Sequence, residues 1–328
     1  MSTYVENSVW FYDPNKAAPI LFIILFFLTA TLHTYQTLRY RAWSTTLLVP
    51  LAGYIFLSGL CVRLAGAYNP TSLGIVIAST VLVLTGPVMY AAANYFILGR
   101  TLHYIPWLSP IHPGRVVTTF LALDGVCEVL IGNGASRVAN RGLTPKERDV
   151  GNGLVKASLI LQAVVFVGFY AVAGIFHSRA IKAGVLNKNL KIVLYTVYVS
   201  AGLITVRCIY RVVEYFEGYT GTVYTHEVYF WVFEAASMLL NSVLLNIFHP
   251  ARYLPQSNKV YLHRDGVEKE GPGWQDKRPF LLTLFDPFDI CGLITGRDRK
   301  NRYWEDGQLD VGCSQQERQG QQQAKEHA

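Results

Sequence analysis

Long apolar stretches alternate with short polar segments along the first 250 residues of this chain. Each stretch has the roughly 20 residues that an α-helix needs to cross about 30 Å of hydrocarbon, and few charges interrupt it. The stretches lie near residues 17–38, 44–63, 71–98, 116–136, 153–176, 190–214 and 228–248. The pattern predicts an all-α bundle of seven transmembrane helices, and therefore an integral, multi-pass membrane protein.

The same pattern divides the chain into three parts. Residues 1–16 form an N-terminal segment, residues 17–250 the transmembrane domain, and residues 251–328 a tail. The tail is rich in charged, Gly, Pro and Gln residues, which predicts that it is largely disordered. Apolar residues at 280–285 and 288–294 could rest on a membrane surface or bind a cytoplasmic partner. Pro50 and Pro87 lie inside the second and third stretches and predict bends there.

The basic residues between the stretches predict the orientation of the bundle, because Lys and Arg in short loops stay in the cytoplasm. Most of them follow the first, third and fifth stretches: Arg39, Arg41, Arg100, Arg115, Arg179, Lys182, Lys188 and Lys191. The loop after the fourth stretch is also basic and is the exception. The bias predicts an extracellular N-terminus and a cytoplasmic tail, with the plasma membrane as the expected location.

Composition agrees with a membrane protein and argues against a nucleic-acid partner. The chain is 51% hydrophobic and only 16% charged, with a mean hydropathy of +0.25. The net charge of +7 arises before residue 251, where there are 17 basic and 10 acidic residues, whereas the tail holds 12 of each. Cytoplasmic loops that meet anionic lipid head groups account for this excess. No basic face or nucleic-acid motif accompanies it.

Charged residues inside the apolar stretches are the candidate functional residues. A charge at the centre of a lipid-exposed helix costs roughly 2.5–3.5 kcal/mol, so such residues normally pair, face the bundle interior or line a pathway. The predicted orientation places most of them in the outer half of the membrane, with Asp124 near the midplane. The candidate site comprises Arg63, Asp124, Glu128, Arg207, Arg211, Glu214, His226, Glu227 and Glu234.

The spacing of these residues places them in sets that share a helix face. The sets are Asp124 with Glu128, Arg207 with Arg211 and Glu214, and Glu227 with Glu234. Two interpretations remain open: ion pairs that hold the helices together, or a polar cavity that opens outward and binds an amphiphile. In the second, Arg207 or Arg211 anchors an anionic head group or a structural carboxylate, and Asp124 with Glu234 meets a cationic head group.

The sequence predicts no cofactor. His33, His177 and His249 fall near the cytoplasmic ends of helices one, five and seven, but no metal-binding histidine spacing is present. No Gly-rich phosphate loop is present either, which argues against ATP-driven pumping by this chain. Any transport would use a gradient, proceed passively or depend on a partner.

Several segments carry a family resemblance. They are TGPVMYAAANYFILGR at residues 85–100, FLALD at 120–124, GNG at 132–134, RCIYRVVEY at 207–215, Gly218, His226-Glu227 and His249-Pro250. The chain resembles the fungal lipid-translocating exporter family, the RTA-like seven-transmembrane proteins, from about residue 12 to residue 250. The resemblance implies a membrane protein, not an enzyme, that moves or exports an amphiphilic lipid, a sphingoid base or a toxic hydrophobic metabolite and so confers resistance.

The chain also departs from the family pattern. Phe56 stands where the family tends to have Glu, Ile131 where it tends to have Gln, and Glu234 where it tends to have Asp. The loss of two polar groups favours an amphiphile other than a sphingoid base. Two other classes remain open: a seven-helix receptor for an amphiphilic ligand, and an intramembrane enzyme with Asp124, Glu128 and Glu234 as acids, which no motif specifies.

Overall fold

The computed structural model describes residues 10, 12–140, 142–218, 221–255, 257, 259–271, 286 and 304. Its helices are α1 (Ala17–Tyr40), α2 (Trp43–Thr46), α3 (Leu48–Tyr68), α4 (Leu73–Tyr104), α5 (Pro113–Ala139), α6 (Pro145–Lys182), α7 (Lys188–Glu217), α8 (Thr222–Thr225), α9 (Glu227–Tyr229) and α10 (Ser237–Ile247). A π-helical stretch, Phe230–Ala236, joins α9 to α10. Short 3₁₀ turns lie at Pro106–Leu108 and Pro250–Arg252.

Seven helical segments of the described chain are long and apolar enough to cross a membrane. They are α1, α3, α4, α5, α6, α7 and a seventh segment, Glu227–Arg252, which runs from α9 through α10. Each corresponds to one predicted apolar stretch. The prediction of an all-α, seven-helix bundle is therefore confirmed.

The helices extend beyond the apolar stretches because polar residues cap their ends. Helix α6 begins with a capping box in which Thr144 and Glu147 satisfy each other's backbone N–H groups, and Pro145 occupies the first helical position. Helix α7 begins at an Asn187 side chain that accepts from the Leu190 N–H at 2.8 Å.

The two prolines occupy different positions in their helices. Pro50 is the third residue of α3, which begins at Leu48, and only Leu47 separates this helix from α2. The helical run is thus interrupted one turn before Pro50, and the bend predicted at this proline stays a prediction. Pro87 lies inside α4, which is assigned as one helix on both sides of it.

Small residues allow the closest helix pairs to form. The most extensive contacts join α3 to α4 and α5 to α6. A Cβ atom on Gly59 would lie 2.8 Å from the Val83 backbone nitrogen, and one on Gly134 would lie 2.6 Å from the Gly151 carbonyl oxygen. Glycine at these two positions lets the backbones approach, as is common between membrane helices. Leu, Ile, Val and Phe side chains remain exposed on the outer faces of the helices, as expected for a lipid-facing surface.

The bundle has two ends, which we call the N-terminal end and the tail end. The N-terminal end carries residues 10, 12–16, 69–72, 140, 142–144, 218 and 221–226. The tail end carries the described residues after the seventh segment. Which end faces the cytoplasm remains a prediction.

The first part of the tail is ordered at the tail end. Strands β1 (Val260–Leu262) and β2 (Glu268–Glu270) form an antiparallel hairpin. The Arg100 guanidinium of α4 donates to the carbonyl oxygens of Pro255 at 3.1 Å and Ser257 at 2.5 Å. The tail up to residue 271 is thus attached to α4.

Two further bonds hold the hairpin. The Tyr104 hydroxyl donates to Glu268 at 2.7 Å, and the Trp107 indole N–H donates to the Leu262 carbonyl oxygen at 3.1 Å. The sequence predicts a largely disordered tail, and it gives no indication of this hairpin. Apart from residues 286 and 304, the tail beyond residue 271 lies outside the described residues.

Candidate functional site

Arg63 lies near the C-terminal end of α3, where acidic and aromatic side chains enclose it at the N-terminal end of the bundle. Its Nη2 atom donates to Glu227 Oε1 at 3.0 Å and to the Tyr12 hydroxyl at 2.5 Å. Its guanidinium lies over the rings of Trp10, 4.7 Å from the centroid, and Phe230, at 4.0 Å. The charge of Arg63 is therefore matched by a carboxylate and by ring faces.

A second charge cluster joins α7 to the seventh segment. Glu234 is fully buried and accepts from Arg207 Nε at 3.0 Å through one oxygen and from Arg211 Nε at 2.8 Å through the other. Arg211 Nη1 also donates to Glu214 at 2.6 Å, and the Tyr210 hydroxyl donates to Glu214 at 3.0 Å. Two arginines and two glutamates thus neutralise one another inside the bundle.

The π-helical stretch explains why Glu227 and Glu234 have different partners. Seven α-helical residues would place both on one face, but Phe230–Ala236 widens the helix between them. Glu227 pairs with Arg63 of α3, whereas Glu234 pairs with α7. The expectation that these glutamates share one face is not met, because a π turn changes the angular spacing of side chains.

Two cavities adjoin these charge clusters. The first, of about 730 Å³ including space open to solvent, lies at the N-terminal end, and the second has about 360 Å³. The charged residues that line the first are Arg63, Arg211, Glu214 and Glu227, together with His226. Those that line the second are Glu128, Arg207 and Arg211. Arg211 and Tyr215 line both cavities and form the partition between them.

Asp124 and Glu128 differ from the other acidic candidates because no cationic side chain of the described residues forms an ion pair with them. Asp124 on α5 is 3% exposed, and neither of its carboxylate oxygens makes a hydrogen bond within the described chain. The Tyr95 side chain of α4 faces it. Glu128, one turn further along α5, is half-buried and lines the second cavity. The positive charge of Arg207 attracts its carboxylate without forming a hydrogen bond to it. Unpaired buried carboxylates are costly and mark candidate ligand sites.

His226 lies at the mouth of the first cavity. Its ring is exposed, and its Nδ1 atom lies 2.9 Å from the Thr222 carbonyl oxygen. It forms part of the cavity lining without joining either charge cluster.

Sequence reasoning missed the N-terminal segment as a contributor to the site. Trp10 and Tyr12 lie against Arg63. Burial raises the pKa of the Tyr12 phenol above its ordinary value of 10.0, and Arg63 opposes this shift. A Trp and a Tyr just before a spanning helix are the only signal that the sequence offers, and this pattern is also typical of interfacial anchoring.

The three histidines considered as metal ligands do not converge. The rings of His33 and His249 are 6.2 Å apart, but His177 packs against Tyr195 and Tyr198 on α7. Nowhere in the part of the chain that the structure describes do three His, Cys, Asp or Glu side chains come close enough to hold a metal ion.

Comparison with known proteins identifies the family. The model of the RTA1-like protein family matches residues 49–257, which include every spanning segment after α1. The chain is 36% identical to "Lipid-translocating exporter-like protein RTA1" of Leptosphaeria maculans over 93% of its own length, and it spans 63% of the length of that relative. No solved structure matches the chain.

More distant relatives come from Saccharomyces cerevisiae. "Protoporphyrin uptake protein 1" is 29% identical over 75% of this chain and 94% of the relative. "Sphingoid long-chain base transporter RSB1" is 22% identical over 72% of each chain. The family match over more than half of the sequence, together with these relatives, shows that the chain belongs to the RTA1-like family of lipid-translocating exporter-like membrane proteins.

Proposed function

We propose that this protein is a membrane transporter, not an enzyme, and that it moves an amphiphilic, lipid-like molecule whose head group is positively charged. The names of its relatives, a lipid-translocating exporter-like protein and a sphingoid long-chain base transporter, support transport of lipid-like molecules. The pattern of ion pairs within the bundle supports a positive charge on the head group. Arg63, Arg207 and Arg211 already have carboxylate partners, whereas Asp124 and Glu128 form no ion pair with any described residue.

The second cavity is the proposed binding site for this head group. Glu128 lines it, and Asp124 lies one helical turn deeper on α5. Val126 and Val129 beside them are 50% and 71% exposed, so the outer face of α5 meets lipid. An amphiphile could place its head group against the two carboxylates while its hydrocarbon chain remains in the bilayer. The hydrocarbon chain then never has to pass through a polar pore, which would expose apolar surface to water.

The partition at Arg211 and Tyr215 supports a route between the two cavities. Both side chains line the first cavity as well as the second. A rearrangement of this partition would connect the carboxylates of α5 with the opening at the N-terminal end. In this proposal the Arg207–Glu234–Arg211 cluster holds the helices around the route and does not bind the head group.

The test uses vesicles that carry the purified protein and two fluorescent probes with the same alkyl chain, one a primary amine and the other a phosphate. We expect protein-dependent movement of the amine to exceed that of the phosphate. Asp124→Asn with Glu128→Gln should slow the amine at least tenfold. Glu217→Gln, at an exposed carboxylate beyond the cavities, is the matched control and should leave the rate unchanged.

The outcomes separate the two parts of the proposal. Equal movement of both probes, unaffected by the α5 substitutions, would show that the head-group assignment is wrong. No protein-dependent movement of either probe would argue against transport. A receptor would instead give a signal on binding the amphiphile without moving it.

The proposed location is the plasma membrane, with the N-terminal end outside and the tail in the cytoplasm. The basic residues at the tail end support this orientation. A cytoplasmic partner would then bind through the tail, whose apolar residues 280–285 and 288–294 lie outside the described residues. Impermeant labelling of a tag after residue 328 in intact cells would overturn the orientation.

A further inference from the structure

A buried pair of histidines lies at the tail end, between α1 and the end of the seventh segment. His33 and His249 are each 1% exposed, with ring centroids 6.2 Å apart. His33 Nε2 donates to the Ser242 carbonyl oxygen at 2.9 Å, which fixes the tautomer with the proton on that nitrogen. The Tyr40 ring lies 5.3 Å from that of His249. Neither charge cluster described above includes these groups.

Most polar atoms of this pair are unsatisfied within the described chain. Nδ1 of His33 and both ring nitrogens of His249 have no hydrogen-bond partner among the described residues. The Ser242 and Tyr90 hydroxyls face each other beside them. Each buried polar atom left unpaired costs about 1–3 kcal/mol. These atoms lie together in the seam, by which we mean the contact between α1 and the end of the seventh segment. Their concentration points to a group that binds there or to a second arrangement in which they become solvated.

The surroundings of the pair are neutral or basic. The titratable or charged groups on the elements packed around it are Tyr40 of α1, Tyr54 of α3, Tyr90 of α4 and Arg252 of the Pro250–Arg252 turn. The polar groups that α2 and α7 contribute are the uncharged Thr46 and Ser200. Among the described residues no carboxylate faces either ring. The closed seam therefore favours neutral imidazoles.

Protonation would change the balance of forces in this seam. Histidine is the side chain whose charge normally changes between about pH 5 and pH 8. A proton on either ring places a positive charge among buried groups that offer no counter-charge, and a second proton adds repulsion over about 6 Å. The least costly response is to separate α1 from the seventh segment so that water reaches the rings.

We propose that His33 and His249 form a proton-binding site whose occupation opens the tail end of the bundle between α1 and the seventh spanning segment. A hydrogen-bonded chain connects this seam with the interior. Asn241, next to Ser242, accepts from the Ser200 hydroxyl at 2.6 Å, and the Asn94 amide donates to Ser200 at 2.8 Å. Opening of the seam thus pulls on α4 and α7 as well. The site does not depend on which molecule the protein moves.

The test measures access to the seam directly. Thr37 lies one turn beyond His33 on the same face of α1 and is 1% exposed. In the full-length Thr37→Cys protein, alkylation of residue 37 by a water-soluble maleimide is followed by peptide mass spectrometry between pH 5 and pH 8. Each rate is divided by that of the unfolded protein at the same pH, which removes the effect of pH on the thiolate fraction.

We expect the normalised rate to rise at least tenfold between pH 8 and pH 5. Adding His33→Gln and His249→Gln should abolish the rise, and His249→Gln alone provides a milder variant if the double substitution does not fold. His177→Gln is the matched control, since that ring lies against Tyr195 and Tyr198, and it should leave the rise intact. A rate independent of pH with both histidines present, or a rise that survives without them or disappears in the control, would overturn the proposal.

Discussion

Arg211 and Glu234 meet at 2.8 Å inside the bundle and join α7 to the π-helical stretch of the seventh segment. The same carboxylate holds Arg207, and the same guanidinium holds Glu214, so four charges form one chain. Glu234 is the central member because both of its oxygens are occupied. The earlier expectation that it would meet a cationic head group together with Asp124 is therefore not met in this arrangement.

The first prediction concerns this central position. Glu234→Gln should lower the free energy of unfolding by about 3–5 kcal/mol, because it leaves two buried guanidinium groups with one carboxylate. Glu214→Gln should cost less, since Arg211 keeps its bond to Glu234. Thermal unfolding in detergent, followed by tryptophan fluorescence, provides the measurement. The exposed Glu217→Gln serves as control, and an unchanged unfolding temperature for Glu234→Gln would contradict the prediction.

The second prediction concerns Asp124, where the opposite effect is expected. Its carboxylate oxygens lack partners, so Asp124→Asn removes a buried charge without breaking a hydrogen bond. The variant should unfold at the same temperature as the parent protein or a higher one. A loss of more than about 1 kcal/mol would show that a partner such as Tyr95 stabilises the ionised form. Tyr95→Phe, measured in parallel, would identify that partner.

The transmembrane helices could be predicted from the sequence because their length and apolarity are set by the bilayer itself. The ion pair between Arg211 and Glu214 could also be expected, since residues three apart on a helix are neighbours. The partner of Arg63 could not, because Glu227 lies 164 residues away. The π turn that separates Glu227 from Glu234 has no comparable signature in the sequence.

Local composition was also insufficient for the tail. Residues 259–271 are mostly polar and charged, and their order depends on bonds to the distant Arg100, Tyr104 and Trp107 and on burial of Tyr261 and Leu262. A short hairpin is marginally stable by itself, so only the surface that it contacts can decide whether it forms. A sequence read one segment at a time does not contain that information.

The third prediction tests how the hairpin is held. Arg100→Met keeps the length of the side chain but removes the bonds to the carbonyl oxygens of residues 255 and 257. Backbone amides in residues 259–271 should then exchange with deuterium at least tenfold faster, while those in the middle of α4 should be unaffected. Arg252→Met, at an exposed basic residue close by, is the control. Equal exchange in the Arg100 variant would show that the strands do not depend on this guanidinium.

The last prediction uses the ionisation of Tyr12 to test the docking of the N-terminal segment. Burial raises the pKa of its phenol above 10.0, so the docked state binds the phenolic proton more tightly than the undocked state. Its contribution to stability is therefore fully present below about pH 10 and is lost as the pH rises through the higher pKa of the docked form.

At pH 8, Tyr12→Phe should cost about 1.5–3 kcal/mol, the usual value of a hydrogen bond to a charged group. The difference in unfolding temperature between the parent protein and this variant should shrink as the pH rises above 10. Tyr68→Phe, at a tyrosine that is 61% exposed at the same end, should show no such change. A difference that does not shrink above pH 10 would mean that Tyr12 does not dock on Arg63 as a neutral phenol.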